Sequence, residues 1–191
     1  MIPDKLLFLD TETGGIDPST ASLLSVGLAV WEGYSIINSR EILIKEENLR
    51  ASREALLVNN IDIDKHLIDA HESSHALELF IEFLTENFAK DEKITLVGHN
   101  IGFDIGFLKA LFKKHNRKFD QYFSHRSVDT ASILFFLYLS GRIKNKVISS
   151  DAAFKEFAIS VPSRHSALGD CLATAELFNR LLKLEQNILS H

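Results

Sequence analysis

The stretch "FLDTETGG", Phe8–Gly15, decides how the rest of the chain is read. It closes a short, nearly unbroken apolar run, "KLLFLD", the pattern of a central strand buried on both faces. Asp10 and Glu12 then stand one residue apart. Residues two apart in a strand face the same side, so both carboxylates project together if the strand continues through them, and Thr13 and Gly14 turn the chain away. Two like charges this close repel unless a cation lies between them. Carboxylate oxygens suit hard cations such as Mg²⁺ or Mn²⁺. An isolated Asp-x-Glu at a strand end is more commonly a solvated turn, so the decision passes to the rest of the chain.

Working outward, "SLLSVGLAVW" and "YSIINSREILI" read as two further strands joined by a tight hairpin at Glu32 and Gly33. Ser52 to Asp69 reads as short helical pieces. "SSHALELFIEFLTENF" places Ala76, Leu79, Phe80, Phe83 and Leu84 at helical spacing behind serine caps. "KITLVGHN" is another strand. Helices follow in "DIGFLKALFKKH", beginning near Asp104, in "VDTASILFFLYLSG", ending at Gly141, in "SDAAFKEFA", capped by Ser150 or Asp151, and in "SALGDCLATAELFNRLLKLEQ". Three strands, helices, a strand and more helices predict an α/β fold: a mixed sheet with helices packed around it. The 191 residues suit a single domain, 1–191, with "SGRIKNKVISSD" as its one flexible loop.

Composition removes several classes of function. The longest apolar run, "ILFFLYL", is too short to span a bilayer, and "MIPDK" has no signal-peptide pattern. Cys171 is the only cysteine, which leaves no internal disulfide and fits a reducing, cytoplasmic setting. A net charge of -5 argues against coating nucleic acid by bulk charge, but not against holding one strand end at a local site. The basic runs "KALFKKHNRKF" and "RIKNK" read as solvated surface. The 14 phenylalanines, scattered rather than striped, read mainly as core.

Two more segments carry acids where the pattern is otherwise apolar. In "LVGHNIGFDIGFL" a strand ends at Gly98, His99 and Asn100, and Asp104 opens a helix, where capping is an adequate reason for it. In "RHSALGDCLATAEL" Asp170 sits among Leu168, Leu172 and Ala173, on a helix that should pack inward. An acid there is costly unless paired or metal-bound. His165 stands five residues earlier. A phosphohydrolase with Asp10 as nucleophile shares the first motif, but leaves His165 and Asp170 unused.

"FLDTETGG", "GHNIGFDIGFL" and "RHSALGDCLATAELF" together resemble the three exonuclease motifs of the DEDD superfamily, histidine subtype. That group includes RNase T and the proofreading epsilon subunit of bacterial replicative polymerase. "SVDT", Ser127–Thr130, resembles the segment its members carry between the second and third motifs. In the other subtype a tyrosine stands four residues before the last Asp; here that position is Ser166 and histidine stands at five.

The resemblance implies a ribonuclease H-like fold and stepwise removal of nucleotides from a 3′ end, releasing nucleoside 5′-monophosphates. Asp10, Glu12, Asp104 and Asp170 would hold two divalent metals, Mg²⁺ or Mn²⁺, and His165 would act as general base, a role its ordinary pKa near 6.5 suits. Thr13, Gly14, Asn100 and Phe103 are the expected contacts to the terminal nucleotide, with Phe103 stacking on a base. The partner would be the 3′ end of a single-stranded nucleic acid, DNA favoured, in replication or repair. An RNA-trimming enzyme and a non-catalytic binding module on the same fold are the alternatives. Relatives often carry a His-Gly pair where Asn59 and Asn60 stand, and Glu or Gln where Ser25 stands. Some relatives dimerise or bind a polymerase; the last helix reaches about Gln186, which favours a freestanding enzyme or an excised domain.

Overall fold

The computed structural model describes residues 5–161 and 166–189. The three N-terminal strands form an antiparallel meander: β1 (Leu6–Thr13), β2 (Leu23–Glu32) and β3 (Ser35–Lys45). Gly33 and Tyr34, both at positive φ, make the β2–β3 turn, the backbone geometry that matches hairpin twist. Two short helices follow, α1 (Arg53–Val58) and α2 (Ile63–Asp69), then a two-residue strand β4 (His71–Glu72) and α3 (Ser73–Asn87). Next come β5 (Ile94–Gly98), α4 (Gly102–Lys114), β6 (Phe123–Asp129), α5 (Thr130–Leu139), α6 (Ser150–Glu156) and α7 (Ala167–Leu189). The sheet order is β4-β3-β2-β1-β5-β6, with β5 and β6 running parallel to β1. This is the mixed, helix-flanked sheet the sequence predicts.

Alternation along β1 divides the molecule into two layers. Leu7 and Leu9 join Val26, Leu28 and Val30 in a core closed by Phe80 and Phe83 of α3 and Phe107 and Phe112 of α4. Phe8 points the other way, to Ala29, Trp31 and the α7 residues Cys171, Ala175 and Phe178. Asp10 and Glu12 share the parity of Phe8. Because β1 runs unbroken through Glu12 to Thr13, both acids belong to the strand rather than to a turn.

The start of α7 is set on the sheet by one row of residues. Asp10 pairs with Gly27, and Gly27 with Glu41. A Cβ on Gly27 would lie 2.2 Å from the carbonyl carbon and oxygen of Ala167, so only glycine lets α7 come this close. The Leu168 N–H donates to the Glu41 carboxylate at 3.2 Å, a favourable charge at a helix N-terminus. The Ser166 hydroxyl accepts from the Gly169 N–H at 3.0 Å, capping the helix.

Some local expectations are corrected. β6 and β4 are strands the sequence pattern does not announce: β6 is largely polar and half exposed, and β4 has only two residues. Helix α4 starts two residues before Asp104, with no side-chain cap. Ser73 does not cap α3; its hydroxyl bonds the His115 ring at 3.0 Å. The cap of α6 is Ser149.

Gly27→Ala is expected to destabilise the protein by about 1–3 kcal/mol, the usual cost of overpacking, read from the urea midpoint.

Candidate active site

The three sequence segments converge at the C-terminal ends of β1 and β5. Carboxylate oxygens of Asp10, Glu12 and Asp170 all lie within 4.8 Å of one another. Glu12 and Asp170 are each only 7% exposed. Asp104 reaches the same cavity from the first turn of α4 and is also buried. It does not cap its helix: its Oδ1 accepts a hydrogen bond from the Thr11 hydroxyl at 2.7 Å. Together with His99, Asn100, Phe103, Ser150 and Asp151, the acids line a cavity of about 310 Å³. His165 lies outside the described residues.

Burial raises the Asp104 carboxyl to about 7, with the negative charge of Asp129 adding to the effect and the Thr11 hydrogen bond opposing it. The neighbouring Cys171 thiol is pushed up as well, first by burial and then by the charges of Asp10, Asp104 and Asp170. Both shifts report concentrated negative charge in a poorly solvated place. The donor set is all oxygen, and the chemistry that relieves it is a hard divalent cation.

A second cavity, of about 540 Å³, adjoins the first and shares Thr11, Glu12, Val58, Asn59 and Phe103 with it. Its lining includes Thr13, Gly15 and Ile16 but not Gly14. The Gly14 N–H donates to Ser22 O, its carbonyl accepts from the Ser52 N–H, and a Cβ there would meet Arg50 O at 2.2 Å. Gly14 therefore serves chain packing, letting the 50–52 segment cross directly behind Thr13. Asn59 donates its side-chain amide to Thr13 O at 3.0 Å, which fastens the end of α1 to the end of β1. Asn60 takes a positive φ, a turn geometry asparagine tolerates.

The "SVDT" segment has a geometric role. Asp129 Oδ1 accepts from the backbone N–H groups of Asn100, at 2.7 Å, and Ala131, at 3.1 Å. It thus caps α5 while holding Asn100 at positive φ beside the cavity. The Thr130 hydroxyl donates to Gly98 O and lies 3.1 Å from His99 Nδ1. His99, Ser150, Asp151 and Glu41 are site or support residues that sequence reasoning missed. His99 and Glu41 act through pairings 31 to 127 residues apart, and Ser150 and Asp151 through a shared cavity wall, none of which one chain read in order shows.

Residues 7–178 match the exonuclease family represented by RNase T. The chain belongs to that family. Ribonuclease T of Haemophilus ducreyi is 27% identical over 190 residues, covering 93% of this chain and 86% of its own. The 3′-5′ DNA exonuclease Cap18 of Escherichia coli is 30% identical over 190 residues, covering 97% of each. Among solved structures, E. coli exonuclease I in complex with a dT13 oligonucleotide superposes with a TM-score of 0.83 over 98% of this chain, at 15% identity. This chain spans 43% of that longer protein. The nuclease domain of 3′hExo, a DEDDh family member bound to rAMP, gives a TM-score of 0.76 at 15% identity, covering 95% of this chain and 92% of that one. The fold is the ribonuclease H-like fold of these enzymes, and the chain is a 3′–5′ exonuclease of the same group.

The raised Asp104 carboxyl gives a pH signature in chelator. Its folded value, about 7, exceeds the ordinary 3.8, so its protonated form favours folding. That contribution is complete below about pH 4 and is lost as pH rises through 7. The thermal midpoint of the metal-free protein should therefore fall between pH 5 and pH 8 relative to Asp104→Asn, which keeps the shape but cannot ionise. Parallel curves for the two proteins would refute this.

Proposed function

We propose that this chain shortens single-stranded nucleic acid, preferentially DNA, one nucleotide at a time from the 3′ end, releasing nucleoside 5′-monophosphates. The observation that carries the reading is the packing of the Asp10, Glu12 and Asp170 carboxylates within 4.8 Å, with Asp104 on the wall of the same cavity. Asp10, Glu12, Asp104 and Asp170 would hold two divalent cations, Mg²⁺ or Mn²⁺. When bound, such a pair supplies positive charge to the attacking and leaving oxygens of an in-line phosphoryl displacement.

The chain's own groups do the rest. His165 takes a proton from the attacking water on a ring nitrogen, help typically worth about 10²–10⁴-fold. The half-buried Phe103 ring, 5.1 Å from Phe107, stacks on the terminal base, a sequence-tolerant contact. Thr13, Asn59 and Asn100 line the approach and orient the terminal sugar and phosphate. Gly14 supports Thr13 from behind rather than touching the strand. Two separate facts favour DNA over RNA: the Cap18 relative matches along nearly its full length and is named a DNA exonuclease, and its identity to this chain is the higher of the two relatives described. The ribonuclease T relatives sustain RNA trimming as the second reading.

The test uses 5′-labelled single strands of DNA and RNA with Mg²⁺, Mn²⁺ or chelator. A one-nucleotide ladder shortening from the 3′ end, lost in chelator, is the expected result, with DNA degraded faster. Internal cuts or metal independence would overturn the reading, and faster loss of RNA would select the second one. Asp10→Ala should lose essentially all turnover. His165→Ala should keep metal binding, followed by calorimetry, yet turn over at least about 100-fold more slowly.

A further inference from the structure

One surface beside the cavity has no role in the chemistry above. Helix α5 buries Leu134 and Leu137 but leaves Phe135 42%, Phe136 67% and Leu139 68% exposed. Burial of such rings is the rule, and a run of exposed ones marks a contact surface. The loop that follows, residues 140–149, carries Arg142, Lys144 and Lys146 and no acid. Among the described residues none of the three pairs with a carboxylate. Lys146 Nζ instead lies 5.5 Å from the centre of the Phe135 ring, so the basic loop folds back along the aromatic face. Both ends of this surface reach the cavity. Thr130, the first residue of α5, sits 3.1 Å from the cavity-lining His99, and the loop returns through Ile148, whose carbonyl lies 3.3 Å from His99 Nε2, to Ser150 and Asp151 on the cavity wall.

We propose that the single strand extending upstream from the 3′-terminal nucleotide lies along this surface, its bases against Phe135, Phe136 and Leu139 and its phosphates against Arg142, Lys144 and Lys146. The proposal rests on the exonuclease reading and adds to it the path of the rest of the substrate. Charge complementarity selects the occupant: a polyanion with exposed π-faces matches interleaved cations and aromatic rings, whereas a plain apolar partner leaves three cations unanswered. The ten residues of α5 extend about 15 Å, room for a few nucleotides beyond the cavity. The tract is also local, which suits a chain whose overall charge is -5. It predicts that affinity grows with strand length until the tract is filled and then levels off.

The test compares a dinucleotide, too short to fill the tract, with a 12-nucleotide single strand. Phe136→Ala and the double variant Lys144→Ala with Lys146→Ala should each raise KM for the 12-mer about tenfold and leave the dinucleotide's kcat/KM within about twofold. The lysine pair should also reduce the salt slope of 12-mer binding by about 1–2. An unchanged KM for the 12-mer, or equal loss on both substrates in both variants, overturns the proposal. So does a self-associating protein that Leu139→Glu turns into monomer with no change in 12-mer affinity, since the face then serves a second copy of the chain. If the unaltered protein cleaves neither substrate, the exonuclease reading fails by itself. Direct binding of a fluorescent 12-mer to the same variants then decides the tract separately.

Discussion

The arrangement of the site follows from mutual repulsion among carboxylates that the fold forces together. Asp10 and Glu12 are fixed by strand periodicity, and Asp170 is brought to them by a helix laid on the same sheet face. Two of these three acids are almost fully buried, where like charges interact far more strongly than in water. No arrangement of apolar neighbours relieves that. The fold holds the cluster by stiffness: β2 is buried along nearly its whole length, and α7 is tied to it by the Gly27 approach, the Glu41 bond and the Ser166 cap. The Trp31 indole N–H donates to Asn179 at 2.8 Å, and the Asn179 amide donates to Tyr34 O at 3.0 Å, so the hairpin tip clamps the same helix about three turns further on.

What the sequence revealed and what it concealed divide along physical lines. β1, β2 and β5 carry dense apolar runs because both faces of the sheet are covered there, and such runs are visible in a single chain; β3, exposed over its first half, shows through its alternating Ile42 and Ile44. β6 is an edge strand with three consecutive exposed residues, so its pattern resembles a loop. Asp10, Glu12, Asp104 and Asp170 were legible as acids in apolar settings. Asp104 nevertheless had an innocent alternative, helix capping, and only the two-residue-earlier start of α4 and the Thr11 bond set it aside. Gly14 is a contact the resemblance implies, and in the structure the backbone packed against it is Arg50–Ala51 of the same chain. Glu41 and Gly27 gave no local signal, because their importance comes from lying in one row with Asp10.

Asn59, where the resemblance implies a histidine, has a mechanical role in this structure. A histidine at that place would present two ring nitrogens. Asparagine presents one donor group and one acceptor, and the donor is spent on Thr13 O. The gain is mechanical: α1 has only six residues and no buried side chain, so it cannot hold its position by packing. Its cap Ser52, the Gly14–Ser52 backbone bond and the Asn59–Thr13 bond fasten it at both ends. The second cavity exists because α1 stands at a fixed distance from β1, with Ile16 and Val58 left exposed on its rim.

A negatively charged protein that acts on a polyanion needs its field inverted at one place only. Here the acids that produce most of the local negative charge are the same groups that would bind cations, so on the proposed reading the inversion would fall beside the scissile phosphate. Protons and metal ions compete for that role. Asp104 takes a proton near neutral pH because burial disfavours its charge, and a divalent cation favours the charged form of the same carboxylate. A divalent cation held in part by Asp104 would bind against its proton, and the affinity would rise with pH across the range where that carboxyl ionises. Beside the cavity, the 140–149 loop carries Arg142, Lys144 and Lys146, none of which pairs with a carboxylate among the described residues. A strand lying on the path proposed above would follow these cations on a chain whose net charge is -5, so selection of a free 3′ end would draw on the same electrostatics that assemble the site.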